Sequence, residues 1–214
     1  MQNTTTITAP ASTGIIPDRK AITHLFFGGL IGLLVWEFWA DVITKWVIGG
    51  PLQPPGLIIS LVEHWTGYNL PYDVAEILHY IVGIVGYPLA YFVFSRAVKK
   101  WAVILDLGVW AIFTAFLLLN LFKGSFTPFM GLFWLIVTGL SATRLINPNA
   151  LIADALSWGS FTWFNALGIM APLAGLPFLL IDGGAPLSFM SYVGHVIYGA
   201  LAVYVFERLN KGRV

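Results

Sequence analysis

The chain has 214 residues, 58% of them hydrophobic and only 10% charged, with a net charge of +1 and no cysteine. A soluble domain carries roughly 25% charged residues, so the composition excludes a soluble globular fold, a disordered chain and a nucleic-acid binder. It predicts an all-α, polytopic transmembrane helical bundle whose first partner is the lipid bilayer. The missing cysteines exclude disulfides, thiolate metal sites and cysteine nucleophiles.

In chain order, residues 1–20 are rich in Thr, Ser, Ala and Pro and predict a disordered cytoplasmic tail. Residues 21–214 then read as one transmembrane helical domain. Six apolar segments have the length a spanning helix needs: 22–47, 73–97, 101–122, 128–146, 156–180 and 188–208. Glycine, proline and asparagine punctuate the breaks, as at Gly49-Gly50-Pro51 and Asn147-Pro148-Asn149. Pro172 and Pro177 predict a kink in the fifth segment. The connection 49–72 is the one long loop, and its apolar stretch ending at Trp65 fits either a short helix in the outer interface or a re-entrant flap.

Orientation follows from the basic residues. With the N-terminus inside, Arg19, Lys20, Arg96, Lys99, Lys100, Arg144, Arg208, Lys211 and Arg213 fall on the cytoplasmic side, and only Lys45 and Lys123 fall outside. Six spans return the C-terminus to the same side. The first and last helix pairs also resemble each other. His79-Tyr80-Ile81-Val82-Gly83 is matched by His195-Val196-Ile197-Tyr198-Gly199, which admits a parallel repeat as well as chance similarity between apolar helices.

Ionisable side chains inside a bilayer are costly, so each is a functional candidate. At about 1.5 Å of rise per residue, His79 and His195 lie about 9 and 10 Å into their spans, and Asp41 about 12 Å before Gly49. Glu37 stands one helical turn deeper than Asp41, and Glu76 precedes His79 at the Glu-x-x-His spacing. Glu37, Asp41, Glu76, His79 and His195 thus reach similar depth in the outer half, with His64 placed to fold over them. Imidazole and carboxylate together suit a metal ion or a proton relay. Two further chemistries fit the histidines. The Glu-x-x-His spacing belongs to di-iron bundles, though here it occurs once. A b-type haem or other tetrapyrrole fits His79 and His195 as axial ligands, with Gly83 and Gly199 giving it room.

Structural roles compete for the same residues. Asp73 and Glu76 match a capping box, Asp41 and Lys45 a one-turn ion pair, and Asp106 and Arg144 a structural salt bridge. Asn120 and Asn165 suit hydrogen bonds between helices, and Gly28, Gly29 and Gly32 suit close helix packing. His24 reads as a solvated residue at the inner surface.

Several stretches together resemble the YagU-type bacterial inner-membrane proteins. They are Pro51-Leu52-Gln53-Pro54-Pro55, the second-span histidine, and the last helix running from Gly194-His195 to Glu207-Arg208. The resemblance covers the first two spans and the last. It implies a small multi-pass protein of a bacterial inner membrane and carries over no catalytic residue. Three functional expectations follow. The first is a histidine–carboxylate site that binds a metal or relays protons. The second is an accessory subunit of a larger respiratory or photosynthetic membrane complex, or a homo-oligomer, with the histidines serving packing or pigment. The third is a small transporter.

Overall fold

The structure is a computed structural model that describes residues 14–146 and 151–211, without the side chains of Arg144, Leu145, Asp182 and Lys211. All regular secondary structure among the described residues is helical. Seven helices follow in chain order. They are α1 (Arg19–Ile48), α2 (Pro54–Thr66), α3 (Tyr72–Ala97), α4 (Trp101–Phe122), α5 (Pro128–Ile146), α6 (residues 151–173) and α7 (Ala185–Lys211). By length and composition α1, α3, α4 and α7 can cross a membrane, and α5 holds a shorter apolar stretch. The first thirteen residues of the expected tail lie outside the described residues. Its last two residues are already helical, because Asp18 caps α1 by accepting from the Ala21 amide at 2.7 Å.

The expected segment boundaries agree with the helices within a few residues, except in the fifth. There the helix stops at Leu173 instead of running kinked to residue 180. Gly175 takes a left-handed backbone (φ +73°), Pro177 cannot supply a helical N–H, and a short 3-10 segment, Phe178–Gly183, follows. Within the long loop, Pro54 and Pro55 open α2 as its first residues and left-handed Gly67 closes it. Leu57 of α2 packs into a core cluster with Phe116 and Phe178, and Trp65 Nε1 donates to the Leu173 carbonyl.

α7 is the centre of the arrangement, lying between α1 and α6. α3 packs against α1 and also reaches α7, while α4 and α5 pack on α6. Close approach needs small residues where helix backbones meet. A Cβ on Gly32 would stand 2.9 Å from the Tyr198 carbonyl of α7, and one on Gly29 would collide with the Ile84 carbonyl of α3. α6 and α7 cross at Gly159 and Gly199, backbone against backbone. The α4–α5 hairpin is held differently. Trp110 Nε1 donates to Thr138 Oγ1 at 3.0 Å and Trp134 Nε1 to Thr114 Oγ1 at 2.8 Å, a reciprocal pair made by two Trp-x-x-x-Thr spacings in antiparallel register.

Three helices carry a wide π turn: Trp39–Ile43 in α1, Val82–Gly86 in α3 and Phe164–Met170 in α6. The last two each end two residues before a proline, Pro88 and Pro172. Proline has no N–H and crowds the carbonyl four residues back, and a wider turn relieves both. α7 has no such turn, so the second helix of the supposed repeat differs from the first in this respect.

Candidate functional site

α1 and α3 run antiparallel. Leu33 fills the space beside Gly83, and one turn further along α1, Trp36 and Glu37 meet His79. His79 Nε2 and Glu37 Oε1 are 2.9 Å apart, with side-chain exposures of 17% and 27%, so the pair is shielded without being sealed. Tyr72 and Tyr80 lie within electrostatic range of Glu37, Asp41 and Glu76, which places all three expected carboxylates around this point.

The π turn in α1 shapes the site. Thr44 donates through both its amide and its hydroxyl to the Trp39 carbonyl, and the Leu52 amide returns from the loop to the Ala40 carbonyl at 3.2 Å. The extra residue in the turn moves Asp41 off the stripe that carries Glu37, so Asp41 is exposed where Glu37 is half-buried. The same turn separates Asp41 from Lys45, which do not form the expected one-turn ion pair. The capping box does not form either. Pro71 is the N-cap of α3, and Asp73 and Glu76 lie inside its first turns.

His195 arrives at the same level from α7. Its Nδ1 donates to the Ser191 carbonyl at 2.8 Å, since a carbonyl can only accept, which leaves Nε2 an acceptor in the neutral ring. Trp36 stands beside both histidines, with its ring centroid 5.3 Å from that of His79 and 5.6 Å from that of His195. Gly194 admits this indole to the α7 backbone. Trp36 is 3% exposed, and its Nε1 has no protein acceptor. The adjacent Trp39 Nε1 donates to the Met190 carbonyl at 2.8 Å.

The two histidines therefore share a level and a neighbour, Trp36. Among the described residues no group of three or more His, Asp or Glu side chains is arranged to hold a metal ion, so the six-residue set does not close into a metal shell. The haem geometry meets an obstacle of its own. Gly83 is filled by Leu33 and Gly199 by Gly159, so neither glycine leaves the room a macrocycle needs. His64 is elsewhere: its ring lies against Gly175 beyond the end of α6.

Several other expected residues are also accounted for. Asp106 accepts from Ser157 Oγ at 2.8 Å, while the Arg144 side chain of the expected salt bridge lies outside the described residues. His24 Nδ1 meets Asn210 Oδ1 at 3.2 Å, joining α1 to α7 where a solvated ring was expected. Asn120 does not bridge helices. It donates to the Phe116 carbonyl and accepts from Ser125, finishing α4 locally. Asn165 does bridge, with Nδ2 donating to the Tyr87 hydroxyl of α3 at 3.0 Å.

The sequence reading passed over four polar groups that continue from this site. Tyr198 donates to the Gly83 carbonyl at 2.6 Å, Tyr87 accepts from Asn165, and Tyr91 donates to Glu207 Oε1 at 2.9 Å. The signal was present, because His79, Gly83, Tyr87 and Tyr91 recur every four residues on one face of α3. Tyrosines in apolar helices read first as interface-belt residues, which hid it. No family model, curated protein or solved structure matches this chain.

Proposed function

We propose that the chain is a small integral membrane protein that takes up and releases protons at the His79–Glu37 pair. The observation that carries this is the 2.9 Å contact between an imidazole and a carboxylate from two different helices, half-shielded, with Glu76 and Asp41 within electrostatic range of the neighbouring Tyr80. Such a pair passes a proton between nitrogen and oxygen with little movement. Arg19, Lys20, Arg96, Lys99, Lys100 and Arg208 gather at the end of the bundle opposite α2, which supports a cytoplasmic position for both termini and, with it, an outer-half position for the pair. The resemblance to YagU-type proteins supports a bacterial inner membrane.

The test is an infrared difference spectrum of the purified protein in lipid vesicles across a pH step. A carboxylate band and an imidazole band are expected to change together, and both changes are expected to disappear in Glu37→Gln and in His79→Gln. Carboxylate and imidazole changes that persist unaltered in the opposite variant contradict a shared proton.

A further inference from the structure

The four groups on one face of α3 mark successive turns from the outer half of the bundle to its inner end, and each has a polar partner from a neighbouring helix. His79 is held by Glu37 of α1, the Gly83 carbonyl by Tyr198 of α7, Tyr87 by Asn165 of α6, and Tyr91 by Glu207 of α7. Four residues of helix rise about 6 Å. One water bent between two hydrogen bonds of about 2.8 Å spans only roughly 4.5 Å, so each step takes a short chain of waters together with the reach of the tyrosine side chains.

Two buried indoles flank the ladder, and both lack an acceptor. Trp36 lies beside His79 at the outer end, and Trp158, 1% exposed, lies with its ring centroid 5.5 Å from that of Tyr91 at the inner end. An unpaired buried N–H is costly, so each indole offers a free donor beside the ladder. The π turn belongs to the same device. Pro88 removes the N–H that would otherwise compete for a carbonyl of that turn, and Tyr198 takes the Gly83 carbonyl.

We propose that this ladder is a transmembrane proton path, with Glu207 as its inner proton acceptor. The inference rests on the proton-accepting reading of His79–Glu37 and extends it across the bilayer. A proton leaving the His79–Glu37 pair passes through water to Tyr198, whose hydroxyl turns from the Gly83 carbonyl to hand on its own proton. Tyr87 accepts from Asn165, so its own O–H points away from Asn165 and is free to donate onward. Tyr91 then protonates Glu207 along their existing hydrogen bond. Each hop breaks one O–H or N–H bond and forms one, and no other reactant is consumed. Asp154 and Arg96 also lie within electrostatic range of Tyr91, so the inner end holds carboxylates and a cation together. Glu207 is half-buried near the end of α7, within reach of the cytoplasmic surface.

The full chain in phosphatidylethanolamine–phosphatidylglycerol vesicles, loaded with a pH dye and driven by a potassium gradient with valinomycin, provides the test. Wild-type vesicles are expected to acidify faster than empty ones. Glu207→Gln and Tyr91→Phe are expected to lower the protein-dependent flux by about a hundredfold, the lower range of what a positioned acid–base group contributes to proton transfer. Glu207→Asp is expected to restore part of it, and Trp46→Phe, on an exposed residue, to leave it unchanged. Wild-type flux equal to that of empty vesicles overturns the path, as does flux unaffected by Glu207→Gln. Glu207→Gln lies at the edge of the bundle and reports even where Tyr91→Phe fails to fold. If the infrared proton response of His79–Glu37 persists while flux is absent, the path is wrong and the site stands. Loss of both sinks both.

Discussion

The α1–α3–α7 region and the α4–α5 hairpin solve helix packing in different ways. In the first, glycines bring backbones into contact, a π turn interrupts α1 and another α3, and groups from outside the regular ladder, Thr44, the Leu52 amide and Tyr198, take carbonyls of those turns. In the second, both helices are uninterrupted, and two indoles bond two threonines across the seam. The polar chemistry lies where the backbone pattern is broken. A carbonyl released from its own helix must be paired, and the hydroxyl that pairs it brings a proton-bearing group into the core. A regular hairpin creates no such demand and needs only local polar staples.

Substitutions sharpen this contrast, beginning with the closest backbone contact. Gly199→Leu drives a side chain into the α6 backbone at Gly159, where neither partner has a flexible side chain to yield. We expect a loss of about 3 kcal/mol or more, the upper range for overpacking, seen as failure to recover monodisperse protein in detergent. Recovery of normally melting protein would show that α6 and α7 do not cross there.

Tyr198→Phe leaves the Gly83 carbonyl without its partner and is expected to cost about 1–3 kcal/mol. Thermal unfolding in detergent measures it. A change near zero would mean that the carbonyl is paired within its own helix and that the wide turn is absent.

The smallest effect is expected in the hairpin. Trp110→Phe and Trp134→Phe each remove one staple at about 0.6 kcal/mol, the average for a hydrogen bond between membrane helices. The double variant should show the two losses adding. A combined loss as large as that of Tyr198→Phe would erase the distinction between the regions.

Much of the fold was legible because hydropathy sets helix length and Lys/Arg placement marks the loops. The fifth segment was read too long, since window hydropathy passes over the break that Gly175 and Pro177 impose together. The π turns were not legible. Pro88 hints at one, but whether the helix kinks or widens depends on whether a partner such as Tyr198 is present to take the carbonyl. At the site, depth counting brought Glu37, Asp41, Glu76, His79 and His195 to similar depth, because helical rise is regular. It could not tell which way each ring faces. Trp36 beside both histidines, the filled glycines and the placement of His64 against Gly175 are properties of packing. The tyrosines were missed because residue type alone does not separate a belt residue from one buried in a ladder.

The most direct measurement is nitrogen NMR of the histidine rings in lipid vesicles, feasible because the chain has only four histidines. The His79 signal is identified by its loss in His79→Gln. The account predicts that Glu37→Gln displaces this signal and leaves that of His195, which is bonded to its own helix, in the Nδ1–H tautomer. A His79 signal identical in wild type and Glu37→Gln would contradict the shared-proton site.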